Sequence, residues 1–355
     1  MRIKLVVATA DKEYLHRFEA IMQERYRGRL KLSLYTDFDA ALEKANEIKA
    51  DIILADEDIV PDQFTLPRRC ILALLVADKG IDSIDGRPAV CKYQSVQALY
   101  SDLMEVYSIQ AESSGVKTSS NAAAQKTIIT FFPAAGGVGC STIAAAFALS
   151  LAQKGTGVLY LNLEEFGSSD LFFNGEGKGD FSKVIYALEI DNQSSRTRIE
   201  SSMRQDPSGV YYYSASPSAL DMQDMNAERT DLLFEYLAES NLFEVIVVDM
   251  HFGFGSKMMQ QMSRSDTVVM VADGSAQCNV KLKRISESLE MLSKENQNLL
   301  DCRTVLVYNR FSSKTGRKVE NTIFAEAGGV GRIENAAPDE LIRIISENPV
   351  MNSII

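Results

Sequence analysis

The chain has 355 residues, of which 46% are hydrophobic and 24% charged, with a net charge of −11. That length suits two or three domains with buried cores, and the negative balance opposes a polyanion, so nucleic acid is not an expected partner. No run of about 18 apolar residues occurs, which excludes a spanning helix and direct membrane insertion. The opening "MRIKLVVATADKEY" reads as a strand entering a charged helix rather than as a secretory signal, so a cytoplasmic setting is expected. Five cysteines lie far apart without a CxxC pair, and only two histidines occur, His16 and His251. Neither a disulfide framework nor a His-based metal site is expected from them.

In chain order, "RIKLVVA" reads as a buried strand, and Leu15, Phe18 and Met22 recur at helical spacing in "YLHRFEAIM". "LKLSLYT" alternates as a second strand, "FDAALEKANEI" is helical, and "ADIILAD" is a third strand ending in acid. "CILALLVAD" and "PAVCKY" give two more strands, and "SVQALYSDLMEVY" gives a closing helix. Five strands alternating with helices imply a doubly wound, flavodoxin-like parallel sheet over residues 1–108.

These residues resemble a response-regulator receiver domain. The resemblance puts a phosphorylatable aspartate at Asp56, ending "DIILAD", and the receiver lysine at Lys92 in "CKYQS". The acid pair that holds Mg²⁺ after the first strand is replaced by Ala8, Thr9 and Ala10, and Val76 stands where a hydroxyl residue ends the fourth strand. Phosphoryl transfer needs that metal, so Asp56 is expected to be an ordinary strand-end acid in an atypical receiver kept for protein contacts.

Residues 109–126, "IQAESSGVKTSSNAAAQK", are small and polar and read as a linker. Beyond them, "KTIITFF" is a buried strand and "STIAAAFALSLAQKG" a helix, opened by Ser141 and Thr142 and followed by Gly155. Between strand and helix, Gly136, Gly137 and Gly139 allow the backbone to curl so that several N–H groups converge on one anion. The helix N-terminus adds partial positive charge, and a first-turn hydroxyl can hold Mg²⁺. Close backbone packing alone would also account for the glycines. "GVLYLNLEEFGSSD" supplies a strand followed by Asn162, Glu164 and Glu165, and "LFEVIVVDMHFGFG" a strand ending in Asp249. "DTVVMVAD" and "RTVLVYNRF" complete the set, the latter leading to Asn309 and Arg310.

Residues 127–355 resemble the MinD/ParA group of deviant Walker A ATPases, a P-loop NTPase fold. The family loop K-G-G-x-G-K-[ST]-[ST] corresponds to "AGGVGCST", Ala135 to Thr142. The resemblance implies ATP held by Gly136, Gly137, Val138, Gly139, Cys140, Ser141 and Thr142. It implies Mg²⁺ on Ser141 and the Walker B acid Asp249, and adenine recognition by Asn309 with Arg310 beside it. Glu164, one carbon longer than the family's aspartate, is the candidate catalytic acid. An atypical receiver fused to such an ATPase resembles the CpaE/TadZ proteins, which help place and assemble Tad (Flp) type IV pilus systems. This implies a homodimer, pilus or polar partners docked through the receiver, and recruitment to a pole or the inner membrane face.

Both family lysines are missing: Cys140 replaces the one that grips the phosphates, and Ala135 replaces the one that reaches across a dimer. A hydrogen bond to a charged group is worth roughly 1.5–3 kcal/mol, so the loop can still bind ATP. Turnover suffers more, because the transition state spreads negative charge. The expected behaviour is a nucleotide switch with slow or absent hydrolysis. An active ParA-like partitioning ATPase, a nucleotide-free scaffold and a phosphorylated response regulator are the alternatives. Lys281, Lys283 and Arg284 lie among glutamates and read as a solvated helix face. The terminal "IISENPVMNSII" is too short and too lightly basic to bind a membrane stably. The run Tyr211–Tyr213 is assigned no role.

Overall fold

A computed structural model describes residues 3–26, 29–67, 70–114, 126–191, 194–295 and 299–355. The chain divides into two compact units, and the division is not sequential. One comprises residues 1–121, 176–179 and 186–203, and the other comprises 122–175, 180–185 and 204–355.

The first unit runs β1 (Ile3–Ala8), α1 (Lys12–Tyr26), β2 (Leu30–Tyr35), α2 (Phe38–Ile48), β3 (Ile52–Asp56), β4 (Ile71–Val76), β5 (Ser83–Ile84), β6 (Arg87–Cys91) and α3 (Val96–Ser114). The strand order is β2-β1-β3-β4-β6-β5, parallel except for the β5–β6 hairpin. Strands such as "IILAD" are apolar almost throughout because both faces of the sheet are covered. Asp37 caps α2 by accepting from the Ala40 N–H at 2.9 Å. Leu15, Phe18 and Met22 are buried, as their helical spacing requires. α1 and α3 are joined through Tyr26 and Tyr100, whose rings stack 3.8 Å apart.

Two connections depart from strict alternation with helices. After β3 a single 3-10 turn, Glu57–Ile59, leads into a loop whose Phe64 and Leu66 pack on the α2 side of the sheet. Between β4 and β6 stands a hairpin turned at Asp85 and Gly86, with φ of 50° and 75°. Asp-Gly suits that turn because both positions need positive φ. α3 continues to Ser114, past the expected linker start at 109, while residues 115–125 of that linker lie outside the described residues.

The chain continues with β7 (Thr127–Pro133), α4 (Cys140–Gln153), β8 (Val158–Asn162), α5 (Phe181–Ile190), α6 (Ser195–Ser201), β9 (Arg204–Gln205), β10 (Tyr211–Tyr212), α7 (Ala227–Ala238), β11 (Val245–Asp249), α8 (Ser256–Arg264), β12 (Thr267–Ala272), α9 (Ala276–Glu295), β13 (Arg303–Tyr308), β14 (Ala325–Gly329) and α10 (Pro338–Ser346). Of these, α6 belongs to the first unit, where Glu200 pairs with Arg29 and Ser201 accepts from Ser101.

The second unit's sheet has the order β14-β13-β12-β7-β11-β8-β10-β9, with all neighbours parallel except β9 and β10. The five buried runs of the sequence form its middle, and β14, β10 and β9 extend its edges. The tyrosine run is structural: Tyr212 lies in β10 and its hydroxyl accepts the Gly175 N–H at 2.7 Å. β7 lies between β11 and β12, so its carboxyl end opens onto the crevice where strand order reverses. α4 seats Ala144, Ala145, Ala146 and Ala148 with no exposure, and these small side chains let the helix lie close to the sheet.

Candidate functional site

The turn from β7 to α4 is shaped from behind. Asn309 Nδ2 donates to Val138 O at 2.9 Å and Gly139 O at 3.4 Å, and Arg310 Nη1 donates to Gly137 O at 3.0 Å. Three consecutive carbonyls are thereby drawn toward the end of β13. In a trans peptide, C=O and the following N–H point in opposite directions. The N–H groups of Val138, Gly139 and Cys140 therefore point away from that clamp. Gly137 and Gly139 make the curl possible with φ of 78° and 80°. α4 begins at Cys140 with no side-chain cap, so the first-turn donors are left for an outside acceptor.

The strands flanking β7 on one side carry the acids. Asp249 ends β11, is fully buried, and accepts through Oδ2 from Tyr160 at 2.8 Å and Asn162 at 3.0 Å. Its Oδ1 has no hydrogen-bond partner. Burial and then the Glu164 charge push the Asp249 carboxyl up to about 7. Asn162 also receives the Glu164 N–H at 2.9 Å, fixing the loop that aims Glu164 at Ser141 Oγ, 3.4 Å away. Burial raises Glu164 as well. Two carboxylates, one of them with an unpartnered buried oxygen, and one hydroxyl form an oxygen donor set that suits a hard divalent cation.

A cavity of about 780 Å³ opens in front of this group. Its lining includes the loop from Pro133 to Thr142, Glu164, His251, Phe252 and Phe254, with Lys281 and Arg284 from α9. That volume lies within the usual range for a small-molecule site.

The structure brings Gly136, Gly137, Val138, Gly139, Cys140, Ser141, Thr142 and Glu164 to one cavity, with Asp249 buried beneath it. Cys140 brings its backbone N–H and a buried thiol that interacts with Asp249. Its side chain is buried, and burial together with the Asp249 and Glu164 charges lifts the thiol well above its ordinary range. Asn309 and Arg310 stand behind the loop instead of lining the cavity. Both ends of the Asn309 amide are engaged, since Oδ1 accepts the Arg310 N–H at 3.0 Å. In this conformation the amide shapes the loop rather than being presented to an adenine ring.

Sequence reasoning passed over Tyr160, which shares the burial of Asp249, and treated Lys281 and Arg284 as a solvated face. A signal for the lysine existed: it has no acidic residue three or four positions away, whereas Lys283 pairs with Glu287 at 3.9 Å.

In the first unit, Asp56 at the end of β3 meets Lys92 Nζ at 2.8 Å and accepts from the Thr9 hydroxyl. Lys92 also donates to Thr9 Oγ1 at 3.0 Å and lies 5.1 Å from the centre of the Tyr14 ring. Thr9 thus fills the place of a metal-binding acid with a neutral hydroxyl. Among the described residues, no group of three or more His, Cys, Asp or Glu is placed to hold a metal ion, and no helix is long and apolar enough to cross a membrane.

Residues 1–108 match the family model of the TadZ-like receiver domain. A curated relative, an uncharacterised ATP-binding protein of Methanocaldococcus jannaschii, is 25% identical over 166 residues, which are 46% of this chain and 59% of that protein's length. The solved structure of a ParA family ATPase from Chlorobium tepidum aligns at a TM-score of 0.52 with 18% identity, covering 64% of this chain and 96% of that one. Residues 1–108 thus carry a TadZ-like receiver domain, and the chain continues in a domain that shares the fold of that ParA family ATPase.

Proposed function

We propose that this chain binds ATP with Mg²⁺ at the loop from Gly136 to Thr142 and uses it as a holding ligand. In that state it serves as a localisation and assembly factor for a Tad pilus system. The observation that carries the reading is the acidic group of buried Asp249 and half-buried Glu164 and Ser141 beside a glycine cradle that lacks both family lysines. The name of the curated relative and the family of the receiver support the same reading.

In this proposal the N–H groups of Val138, Gly139 and Cys140 receive phosphate oxygens, and the hydroxyls of Ser141 and Thr142 complete the cradle. Mg²⁺ would supply the charge that neutralises Asp249 and Glu164 and would polarise the phosphates it touches. Glu164 is the candidate that orients water. With no lysine in the loop, the charge developed during phosphoryl transfer lacks its usual counter-charge there, so turnover is slow or absent.

The proposed domains are 1–108 and 127–355, joined by 109–126, with the chain acting as a homodimer. The receiver docks pilus or polar partners and recruits the protein to a pole or the inner membrane face. It does so without phosphorylation, because Ala8, Thr9 and Ala10 stand where a receiver's metal-binding acids would be.

The test is to titrate the purified protein with ATP and Mg²⁺ and follow phosphate release over hours. Saturable binding with little release supports the reading. No binding at millimolar ATP leaves a nucleotide-free scaffold, and rapid release stimulated by DNA supports a partitioning ATPase instead.

A further inference from the structure

α9 is held on the sheet by Leu282, Ile285 and Leu289, all buried. The opposite side of the helix is therefore fixed, and its exposed residues divide by direction. Lys283 pairs with Glu287 along the helix. Lys281 and Arg284, one turn apart, line the same cavity as the glycine loop. Neither makes an ion pair or hydrogen bond with any described residue. The neighbouring cation Arg310 is already spent on Gly137 O.

Two uncommitted cations that share a cavity with uncommitted N–H donors make a site that attracts negative charge. The only carboxylate in the lining, Glu164, is directed at Ser141 instead of at these cations. Resting on the reading that this cavity takes a nucleotide, we propose that Lys281 and Arg284 bind its phosphate chain. They thus supply from α9 the positive charge that Cys140 and Ala135 no longer supply from the loop. The positive charge comes from a helix of the same chain instead of from the loop. A wall-mounted pair grips the bound phosphates without sitting at the loop itself, which fits holding better than cleaving.

The test compares wild type, Lys281→Ala, Arg284→Ala, the double variant and Lys283→Ala by calorimetric titration with ATP·Mg²⁺, AMP and inorganic triphosphate. A melting curve without ligand confirms that each variant folds. The expected result is about tenfold weaker ATP·Mg²⁺ binding for each single cavity variant and about a hundredfold for the double. Triphosphate binding should fall in parallel, while Lys283→Ala and the weak binding of AMP stay unchanged. Arg284→Lys should recover part of the loss. ATP·Mg²⁺ binding undiminished in the double variant overturns the proposal while leaving the nucleotide reading intact. Wild type that binds triphosphate but not ATP overturns the nucleotide reading and retains the anion site. Wild type that binds neither overturns both.

Discussion

Each of the two sheets ends a buried strand in an aspartate, and the fates of those aspartates differ. Asp56 meets an internal cation, Lys92, and a hydroxyl, Thr9, so its charge is satisfied by the fold itself. Asp249 meets neutral donors, Tyr160 and Asn162 with Ser141 and Cys140 nearby, and has a second acid, Glu164, close to it. The first site is charge-balanced by the fold itself; the second keeps two neighbouring acids with a buried oxygen unpartnered. Similar strand-end chemistry thus yields a structural joint in one unit and a candidate binding centre in the other.

The largest expected effect comes from breaking the completed site. Lys92→Met leaves Asp56 and Thr9 enclosed without a counter-charge and should cost about 3–5 kcal/mol in urea unfolding of the receiver. Lys92→Met combined with Asp56→Asn should recover most of it. A single variant as stable as wild type would show that the pair carries no structural charge balance.

The second site should respond in the opposite sense. A carboxyl raised to about 7 favours the folded state at low pH and loses that contribution as pH rises through its folded value. Without divalent cations, stability should therefore fall from pH 5 to pH 8, by a few kcal/mol at most. Asp249→Asn should flatten that slope, and ATP·Mg²⁺ should stabilise wild type most at the alkaline end. Melting curves across that range decide it; a flat profile in the wild type would mean that Asp249 is already charge-balanced.

A smaller effect sharpens the contrast at the loop. Gly139→Ala forces a side chain into left-handed backbone and against the Asn309 amide, and should cost about 1–2 kcal/mol. Its nucleotide affinity should fall further than that loss of stability alone explains. At the bottom of the scale, acetyl phosphate with Mg²⁺ should leave the intact mass unchanged, since Asp56 is neutralised and its metal-binding acids are absent. An adduct that disappears in Asp56→Ala would reverse the assignment of the completed site.

Much of this was legible in the sequence because parallel strands buried on both faces leave unmistakable apolar runs, as in "IILAD" and "VIVVD". The glycine loop and Asp249 were legible because their chemistry is local. Lys281 and Arg284 were not, since the direction of a helix face depends on which side packs, and charges of both signs hid the asymmetry. For Asn309 the resemblance implies a ligand contact, whereas the hydrogen bond of its amide to the loop backbone depends on the folded structure and was not legible. The short β9 and β14 were missed because they are edge segments, defined by pairing more than by their own apolar pattern.

The carbonyl clamp by Asn309 and Arg310 has a kinetic corollary. A loop that is already bent and tethered need not reorganise when a ligand arrives, so little ordering entropy remains to be lost at that moment. Capture should then be limited by encounter instead of by a conformational search. Asn309→Ala would be felt as slower association and a more unfavourable binding entropy, even though that side chain need never touch what the loop holds.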